Sequence, residues 1–277
     1  MGGSEVFRSL QARSAERFTS SWIGERDSLV VVPEQGFYDD EAAVAAYLEL
    51  RHLPVYSANL VMEEPAFLEE VGNLQGLRIL DLGCGDGTFA ATCVAGRCGS
   101  YLGIDSSEAM IGRAERTCAH EMTVQFQHGA IEDFSAAPGS ADLVASRMAL
   151  HYVGEMAPVL QRAHDALVPG GRLVASMVHP VITAQRALSP DRRTSIVVDD
   201  YFSSGPRNRV WFNRPVTWWH RTIEQYVGLL AEAGFNLVQL RECSPVEEFF
   251  EGNTEEFERR KRVPVVLLLH AQKPTAT

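Results

Sequence analysis

The feature that most constrains the fold is a strand that runs directly into a glycine-rich turn. Residues 79–87 read ILDLGCGDG, and good helix formers follow from Thr88. Glycine permits a positive φ in a tight turn and lets a ligand lie against the main chain. Open α/β sheets place such a turn after their first strand. The sequence therefore predicts an α/β fold with a ligand site at the carboxyl end of this strand.

The rest of the chain supports a parallel sheet, because short apolar runs alternate with helical stretches. The apolar runs are RILDL, YLGID, TVQFQHG, ADLVASR and RLVASMV, with helical stretches such as Ser106 to Cys118 and Glu155 to Leu167 between them. Pro169, Gly170 and Gly171 are expected to end the second of these helices. Further along, the pattern predicts a helix near Thr222 to Ala233, a strand at FNLVQL, a charged helix around Glu247 to Arg262 and a final strand at VPVVLLLHA.

Two segments fall outside this alternation. Residues 1–75 have apolar residues at helix spacing, among them Phe7, Leu10, Phe18 and Trp22, and are expected to form a helical extension. Residues 76–277 form the core, and prolines with interleaved aromatic residues mark a cap inserted at about 180–216. The apolar N-terminal helix also suggests a homo-oligomer.

Charge and cysteine content exclude several classes of partner. The chain has 25 Lys and Arg residues against 36 Asp and Glu, a net charge of −11, which disfavours nucleic acid and anionic membranes. No apolar run approaches the roughly 20 residues of a membrane span, and no apolar core of a secretory signal is present. The five cysteines form no CxxC pair, and Cys118 with His120 lacks a second close pair, so no metal is expected. These features indicate a cytoplasmic protein.

The charges of the glycine turn indicate which ligand it binds. Asp81 and Asp86 would repel a pyrophosphate and attract an ammonium group. Asp105 ends the second strand, where a carboxylate can accept hydrogen bonds from ribose hydroxyls. An amino-acid cation joined to adenosine describes S-adenosylmethionine. The alternative, an NAD-dependent oxidoreductase with a similar turn, is disfavoured by the two aspartates.

The same stretch resembles the class I S-adenosylmethionine-dependent methyltransferases, in particular their small-molecule, type 11 branch. The likeness rests on LDLGCGDG, on Asp105 with Ser106 and Met110, and on the segments GAIEDF, ASRMALHYV and LVPGGRLVASMVHP. It extends upstream to YLELRHLPVYSANLVMEEPAF and downstream to WHRTIEQYVGLLAEAGF. The resemblance implies a Rossmann-like, mostly parallel sheet of seven strands in the order 3-2-1-4-5-7-6.

The resemblance also implies the cofactor-binding residues. Asp81, Gly83 and Gly85 would hold the methionine part, Asp105 the ribose, Ser106 and Met110 the adenosine edge, and Ala130, Ile131 and Glu132 the adenine. Many relatives have Asp at the position of Ala130, so a backbone oxygen or Glu132 would accept the adenine amino group here. The N-terminal extension would serve as a cofactor lid through Tyr47, Arg51 and Asn59.

Two histidines and four aromatic residues are candidates for the chemistry of transfer. His179 follows the fifth strand and His151 the fourth, where a base would reach the acceptor. The cap aromatics Tyr201, Phe202, Trp211 and Trp218 are expected to wall a pocket for the acceptor.

The expected function is methyl transfer to a small, bulky apolar or aromatic metabolite, as in secondary metabolism, with O-, N- and C-methylation left open. One alternative is C-methylation of an isoprenoid or prenyl-indole acceptor with carbocation-driven cyclisation, which a faint resemblance to teleocidin-type C-methyltransferases and cyclases suggests. Another is a protein that binds S-adenosylmethionine without transferring its methyl group.

Overall fold

The computed structural model describes residue 38 and residues 40–51, 57–185, 195–211 and 214–275. The predicted helix containing Phe7, Leu10, Phe18 and Trp22 lies outside the described residues, and so does the subunit contact expected from it.

The core is a seven-stranded sheet, which confirms the predicted fold class. Its strands are β1 (Arg78–Leu82), β2 (Ser100–Asp105), β3 (Val124–His128), β4 (Ala141–Arg147), β5 (Leu167–Val178), β8 (Asn236–Glu242) and β9 (Val266–Gln272). The order across the sheet is β3-β2-β1-β4-β5-β9-β8. Only β9 runs antiparallel to its neighbours, and it pairs with both β5 and β8. Counted without a separate hairpin, β6 (Gly205–Trp211) and β7 (Arg214–His220), this is the expected order 3-2-1-4-5-7-6.

Helices cover both faces of the sheet. They are α1 (Glu41–Arg51), α2 (Glu64–Val71), α3 (Thr88–Ala95), α4 (Glu108–Thr117), α5 (Met156–Ala166), α6 (Pro180–Thr183), α7 (Ile223–Glu232) and α8 (Thr254–Arg260). A π-helix, Asn59–Glu63, leads into α2. One apolar cluster joins β-strand side chains to α5 and α7, for example through Leu160 and Leu230. A second cluster joins the other face to α2 and α3 through Phe67 and Phe89.

Local sequence signals explain where these helices begin and end. Helix α7 begins with a capping box, in which Thr222 accepts a hydrogen bond from the backbone of Gln225 and the Gln225 side chain accepts one from the backbone of Thr222. Helix α5 ends at Ala166, close to the predicted boundary before Pro169. The continuous helix expected over Glu247 to Arg262 is wrong: a 3₁₀ turn, Glu247–Phe250, is separated from α8 by Gly252. Gly252 has φ +81°, which is incompatible with a continuous helix.

The segment expected to be a cap contains a β-hairpin. Strands β6 (Gly205–Trp211) and β7 (Arg214–His220) form a separate two-stranded antiparallel sheet. The hairpin extends four residues past the expected end of the insertion at 216. His220 connects the end of the hairpin to two other parts of the insertion: its Nδ1 is 2.6 Å from the Thr183 hydroxyl, and its Nε2 is 2.8 Å from the Tyr201 carbonyl oxygen.

All five cysteines are buried free thiols. Among the described helices, none is long and apolar enough to cross a bilayer.

Candidate functional site

A cavity of about 360 Å³ opens at the carboxyl ends of β1, β2 and β4. Eleven of the twelve predicted cofactor residues line it: Tyr47, Arg51, Asn59, Asp81, Gly83, Gly85, Asp105, Ser106, Met110, Ile131 and Glu132. The twelfth, Ala130, is not part of its lining, and its carbonyl oxygen accepts a hydrogen bond from the Asp133 amide at 3.1 Å. The structure therefore brings together nearly all of the residues that the resemblance assigned to the cofactor.

The glycine turn forms the floor of this cavity. Gly83 has φ +85°, and a Cβ added to it would lie 2.3 Å from the Cβ of Ala149. A Cβ on Gly85, which has φ +55°, would meet no protein atom within 4 Å. Gly83 is therefore required by packing, whereas Gly85 leaves room for a ligand to approach the main chain.

Asp81 presents an unsatisfied carboxylate oxygen at the start of this turn. Its Oδ2 accepts a hydrogen bond from the buried Tyr101 hydroxyl, while its Oδ1 is buried without a hydrogen-bond partner among the described residues. Burial raises the pKa of Asp81 to about 7, although Tyr101 and Arg147 act in the opposite direction. A buried acceptor without a partner costs free energy unless a ligand supplies a donor. The ammonium group of S-adenosylmethionine is a donor of this kind, so the residues present fit that cofactor.

Asp86 differs from the prediction, because its charge is compensated within the protein. Arg51 Nη1 is 3.2 Å from Asp86 Oδ1, and the same oxygen accepts a hydrogen bond from the Thr88 hydroxyl at 2.8 Å. Burial raises the pKa of Asp86, but Arg51 and Thr88 outweigh it, and the net shift is downward. Asp81 rather than Asp86 is therefore the carboxylate of the turn that offers an oxygen to a cationic ligand.

Asp105 connects the turn to the next strand. Its Oδ2 accepts from the Gly85 amide and its Oδ1 from the Ser107 amide, each at 2.9 Å. Ser107 in turn caps α4 by accepting from the Met110 amide, and its hydroxyl donates to the Tyr38 carbonyl oxygen at 2.8 Å. One chain of hydrogen bonds thus fixes the turn, the start of α4 and the segment that covers the cavity.

Three tyrosines form a wall that sequence reasoning recognised only in part. The ring centroid of Tyr38 lies 5.9 Å from that of Tyr47 and 6.0 Å from that of Tyr152, both in edge-to-face geometry. The hydroxyls of Tyr38 and Tyr152 are 3.3 Å apart. Tyr47 was predicted to close over the cofactor, but Tyr38 and Tyr152 were not predicted. No local pattern marks them, because they are separated by 114 residues in sequence.

A buried ion pair at the same site was also missed. Arg147, at the end of β4, contacts Glu63 through Nε at 3.1 Å and through Nη2 at 2.5 Å. The Ser176 hydroxyl donates to Glu63 Oε1 at 2.7 Å. The guanidinium lies 5.1 Å from the ring centre of Phe67 and 5.8 Å from that of Phe89. Both charged residues line the cavity, and each neutralises the other.

Neither histidine that was expected to act as a base lines the cavity. His179 is buried at the end of β5, where its Nδ1 accepts from the Val181 amide at 3.1 Å and its Nε2 lies 3.0 Å from Glu242 Oε1. His151 is buried with its ring centroid 4.3 Å from that of Tyr152, and burial lowers its pKa to about 3. The structure therefore places His179 in a structural contact and His151 behind the tyrosine wall.

The aromatic residues of the cap occupy other positions than expected. Phe202 is 87% exposed, and the Tyr201 ring packs against Phe202 and His220. Trp218 is buried edge-on against His151. The side chain of Trp211 lies outside the described part of the structure. The hairpin contributes smaller residues to the cavity wall instead: Asn208, Pro215, Val216 and Thr217.

Comparison with known proteins agrees with this geometry. A family model described as a methyltransferase domain matches residues 79–171. A solved S-adenosylmethionine-dependent methyltransferase from Mesorhizobium loti is 32% identical, with a TM-score of 0.70, covering 76% of this chain and 97% of that one.

Two further relatives are similar in sequence. An uncharacterised protein of Haemophilus influenzae is 30% identical over 247 residues, which are 85% of this chain and 96% of that protein. A carboxy-S-adenosyl-L-methionine synthase of Nitratiruptor is 29% identical over 187 residues, or 64% of this chain and 73% of the synthase. One assignment follows from the Asp81 carboxylate beside the glycine turn, the sheet order and the Mesorhizobium relative. The chain belongs to the S-adenosylmethionine-dependent methyltransferases and uses S-adenosylmethionine as its methyl donor.

Proposed function

We propose that this methyltransferase acts on a small, largely apolar or aromatic acceptor. The observation that supports this is the composition of the cavity wall away from the glycine turn. Aromatic and apolar side chains form most of that wall: Tyr38, Tyr47, Met148, Tyr152, Val153, Pro215 and Val216. Pockets of this volume lined mainly by apolar and aromatic groups suit small molecules rather than extended polymers.

We assign the opposite wall to the methyl donor. Asp81 would accept from its ammonium group, Asp105 from its ribose, and Ile131 and Glu132 would contact its adenine. The bound donor supplies an electrophilic methyl group on a sulfonium. The chain's own contribution is to hold the acceptor in line with that methyl group and to exclude water, which are the main requirements of such a transfer.

The roles of Asp81 and Asp105 can be tested by calorimetry with S-adenosylhomocysteine. Asp81→Ala and Asp105→Ala each remove a charged acceptor, which is worth about 1.5–3 kcal/mol, so affinity should fall by roughly 10- to 100-fold or become undetectable. Glu115→Ala, an exposed change on α4, is the matched control and should bind normally. Near-normal affinity in both aspartate variants would refute the assignment.

Transfer itself requires a separate measurement. The protein should be incubated with methyl-labelled S-adenosylmethionine and a fractionated extract of small metabolites, and the products separated by chromatography. We expect label in an organic-soluble product that Asp105→Ala does not form. Tight binding of S-adenosylhomocysteine without transfer to any fraction would favour a protein that binds the cofactor without methylating.

A further inference from the structure

We propose that the acceptor atom is the nitrogen of an amine, and that the acceptor end of the cavity is built to hold the cation that N-methylation produces. This rests on the proposed function and narrows its substrate class. Three observations carry it: the tyrosine wall, the charge of the cavity and the groups available to remove a proton.

The tyrosine wall presents three aromatic rings from two separate parts of the chain. Tyr38 precedes α1, Tyr47 lies within it and Tyr152 follows β4. Their mutual edge-to-face packing fixes the rings, and all three line the cavity. An organic cation is attracted to aromatic faces, by about 0.5–2 kcal/mol per ring depending on its desolvation. An uncharged acceptor gains no such attraction to the rings.

The charge of the cavity favours the same ligand. The described residues that line it include five carboxylates, Glu63, Asp81, Asp86, Asp105 and Glu132, but only two guanidinium groups, Arg51 and Arg147. Both guanidinium groups already contact carboxylates of this set, Arg51 that of Asp86 and Arg147 that of Glu63. An anionic acceptor would therefore meet excess negative charge, and the buried Asp81 Oδ1 adds an acceptor atom without a protein donor. The other three carboxylates, Asp81, Asp105 and Glu132, are assigned to the donor wall, so at the acceptor end this excess acts as a longer-range attraction for a cation.

No described residue of the cavity lining is left to accept the proton of a nucleophile during transfer. Of its five carboxylates, Glu63 and Asp86 contact guanidinium groups, and Asp81, Asp105 and Glu132 are assigned above to the donor. Among the described residues that line the cavity there is no histidine. Burial raises the pKa of Tyr38, and also the pKa of Tyr152, so that neither phenol is a base near neutral pH. A hydroxyl acceptor would need such a base, whereas an uncharged amine attacks through its lone pair.

The bonds, charge and protons of the transfer step balance when the acceptor atom is an amine nitrogen. An amine that enters as its ammonium form first releases a proton to water, which frees the lone pair. The nitrogen lone pair then forms the new N–C bond, and the S–CH₃ bond breaks with its electron pair left on sulfur. The positive charge moves from sulfur to nitrogen, and any excess proton on the product is released later to water. The new ammonium group would then lie against the tyrosine rings, where the charge is stabilised.

The test compares ligands that differ only in charge or in the nucleophile. With S-adenosylhomocysteine bound, calorimetry measures choline and its uncharged carbon isostere, 3,3-dimethylbutan-1-ol. We expect choline to bind at least about 10-fold more tightly, as desolvated cation–π contacts predict. In assays with labelled donor, phenethylamine should be methylated and 2-phenylethanol should not.

Matched variants test whether the tyrosine rings cause the preference for choline over its uncharged isostere. Tyr38→Leu should weaken choline binding by roughly 3- to 30-fold, and Tyr38→Phe, which keeps the ring, should not. The pair Tyr152→Leu and Tyr152→Phe repeats the comparison at the second ring. Unchanged S-adenosylhomocysteine affinity shows that each variant is folded.

Choline binding no tighter than that of the isostere, including no detectable binding of either, overturns the proposal, and so does methylation of 2-phenylethanol in preference to phenethylamine. In both cases the proposed function stands if S-adenosylhomocysteine binds. Failure of S-adenosylhomocysteine to bind the unmodified protein would instead overturn the proposed function.

Discussion

At the scale of single residues, Asp81 determines how the site depends on pH. Its carboxyl group is buried and lines the cavity, with one oxygen accepting a hydrogen bond from Tyr101 and the other buried without a donor among the described residues. Burial raises its pKa to about 7. A large part of the protein near neutral pH therefore carries a protonated Asp81, which cannot accept two hydrogen bonds as well as the ionised form does.

Cofactor affinity should consequently rise with pH through about 7. The ammonium group of the ligand favours the ionised carboxylate, so binding is linked to loss of the Asp81 proton. Between pH 7.5 and 5.5, the affinity for S-adenosylhomocysteine should fall by roughly 20-fold. Asp81→Asn should bind weakly at every pH and show a flat profile. A wild-type profile as flat as that of the variant would contradict the role of Asp81.

At this scale, the shared role of several residues can be predicted from the sequence when they lie close together along the chain. Asp81, Gly83 and Gly85 lie in one contiguous motif, so their shared role could be predicted. Tyr38 and Tyr152 come together only in the fold, as do Glu63 and Arg147. For these residues the sequence holds no spacing from which a common site could be inferred.

At the scale of elements, His179 joins two parts of the structure that are distant in sequence. Its ring accepts from the Val181 amide at the start of α6 and contacts Glu242 at the end of β8. Burial lowers the pKa of His179, while Glu242 opposes this shift. The residue therefore holds the end of β5 against the neighbouring chain segments, as a structural histidine does.

Replacing His179 should accordingly affect stability and leave turnover nearly unchanged. His179→Ala removes a helix cap and a buried ring, which should lower the free energy of unfolding by about 2 kcal/mol in urea denaturation. His179→Asn retains a capping acceptor and should recover part of this loss. A large fall in kcat with normal cofactor affinity and normal stability would show that His179 takes part in the reaction.

Elements with a strong local pattern were predictable, and those defined by distant pairing were not. The strands of the parallel sheet and helices α5 and α7 follow directly from apolar periodicity and end signals. The hairpin β6–β7 was missed because Pro206 and Pro215 disfavour strands in single-sequence reasoning, although both residues lie within the paired ladder. The interruption before α8 was missed because one glycine in a charged run is weak evidence against a helix.

At the scale of the whole molecule, the sheet order places the cavity. The chain passes from β1 outward to β2 and β3, and then returns to β4 on the other side of β1. Loops that leave β1 and β4 therefore diverge, which opens a crevice at their carboxyl ends. Helix α1 covers this crevice through Tyr47 and Arg51, and the hairpin β6–β7 closes it from another side through Val216 and Thr217.

The N-terminal extension was predicted to act as a cofactor lid, and hydrogen exchange tests this across the molecule. If α1 and the hairpin must open to release the ligand, bound S-adenosylhomocysteine will oppose their opening. At a concentration 100 times its dissociation constant, a ligand raises the free energy of such an opening by about 2.7 kcal/mol, which slows amide exchange by up to about 100-fold. Amides of Glu41–Arg51 and of β6–β7 should be protected together, whereas those of α8, which contributes no residue to the cavity lining, should exchange as before. Protection confined to residues 83–87 would mean that the ligand is held by the glycine turn alone and that α1 is not a lid.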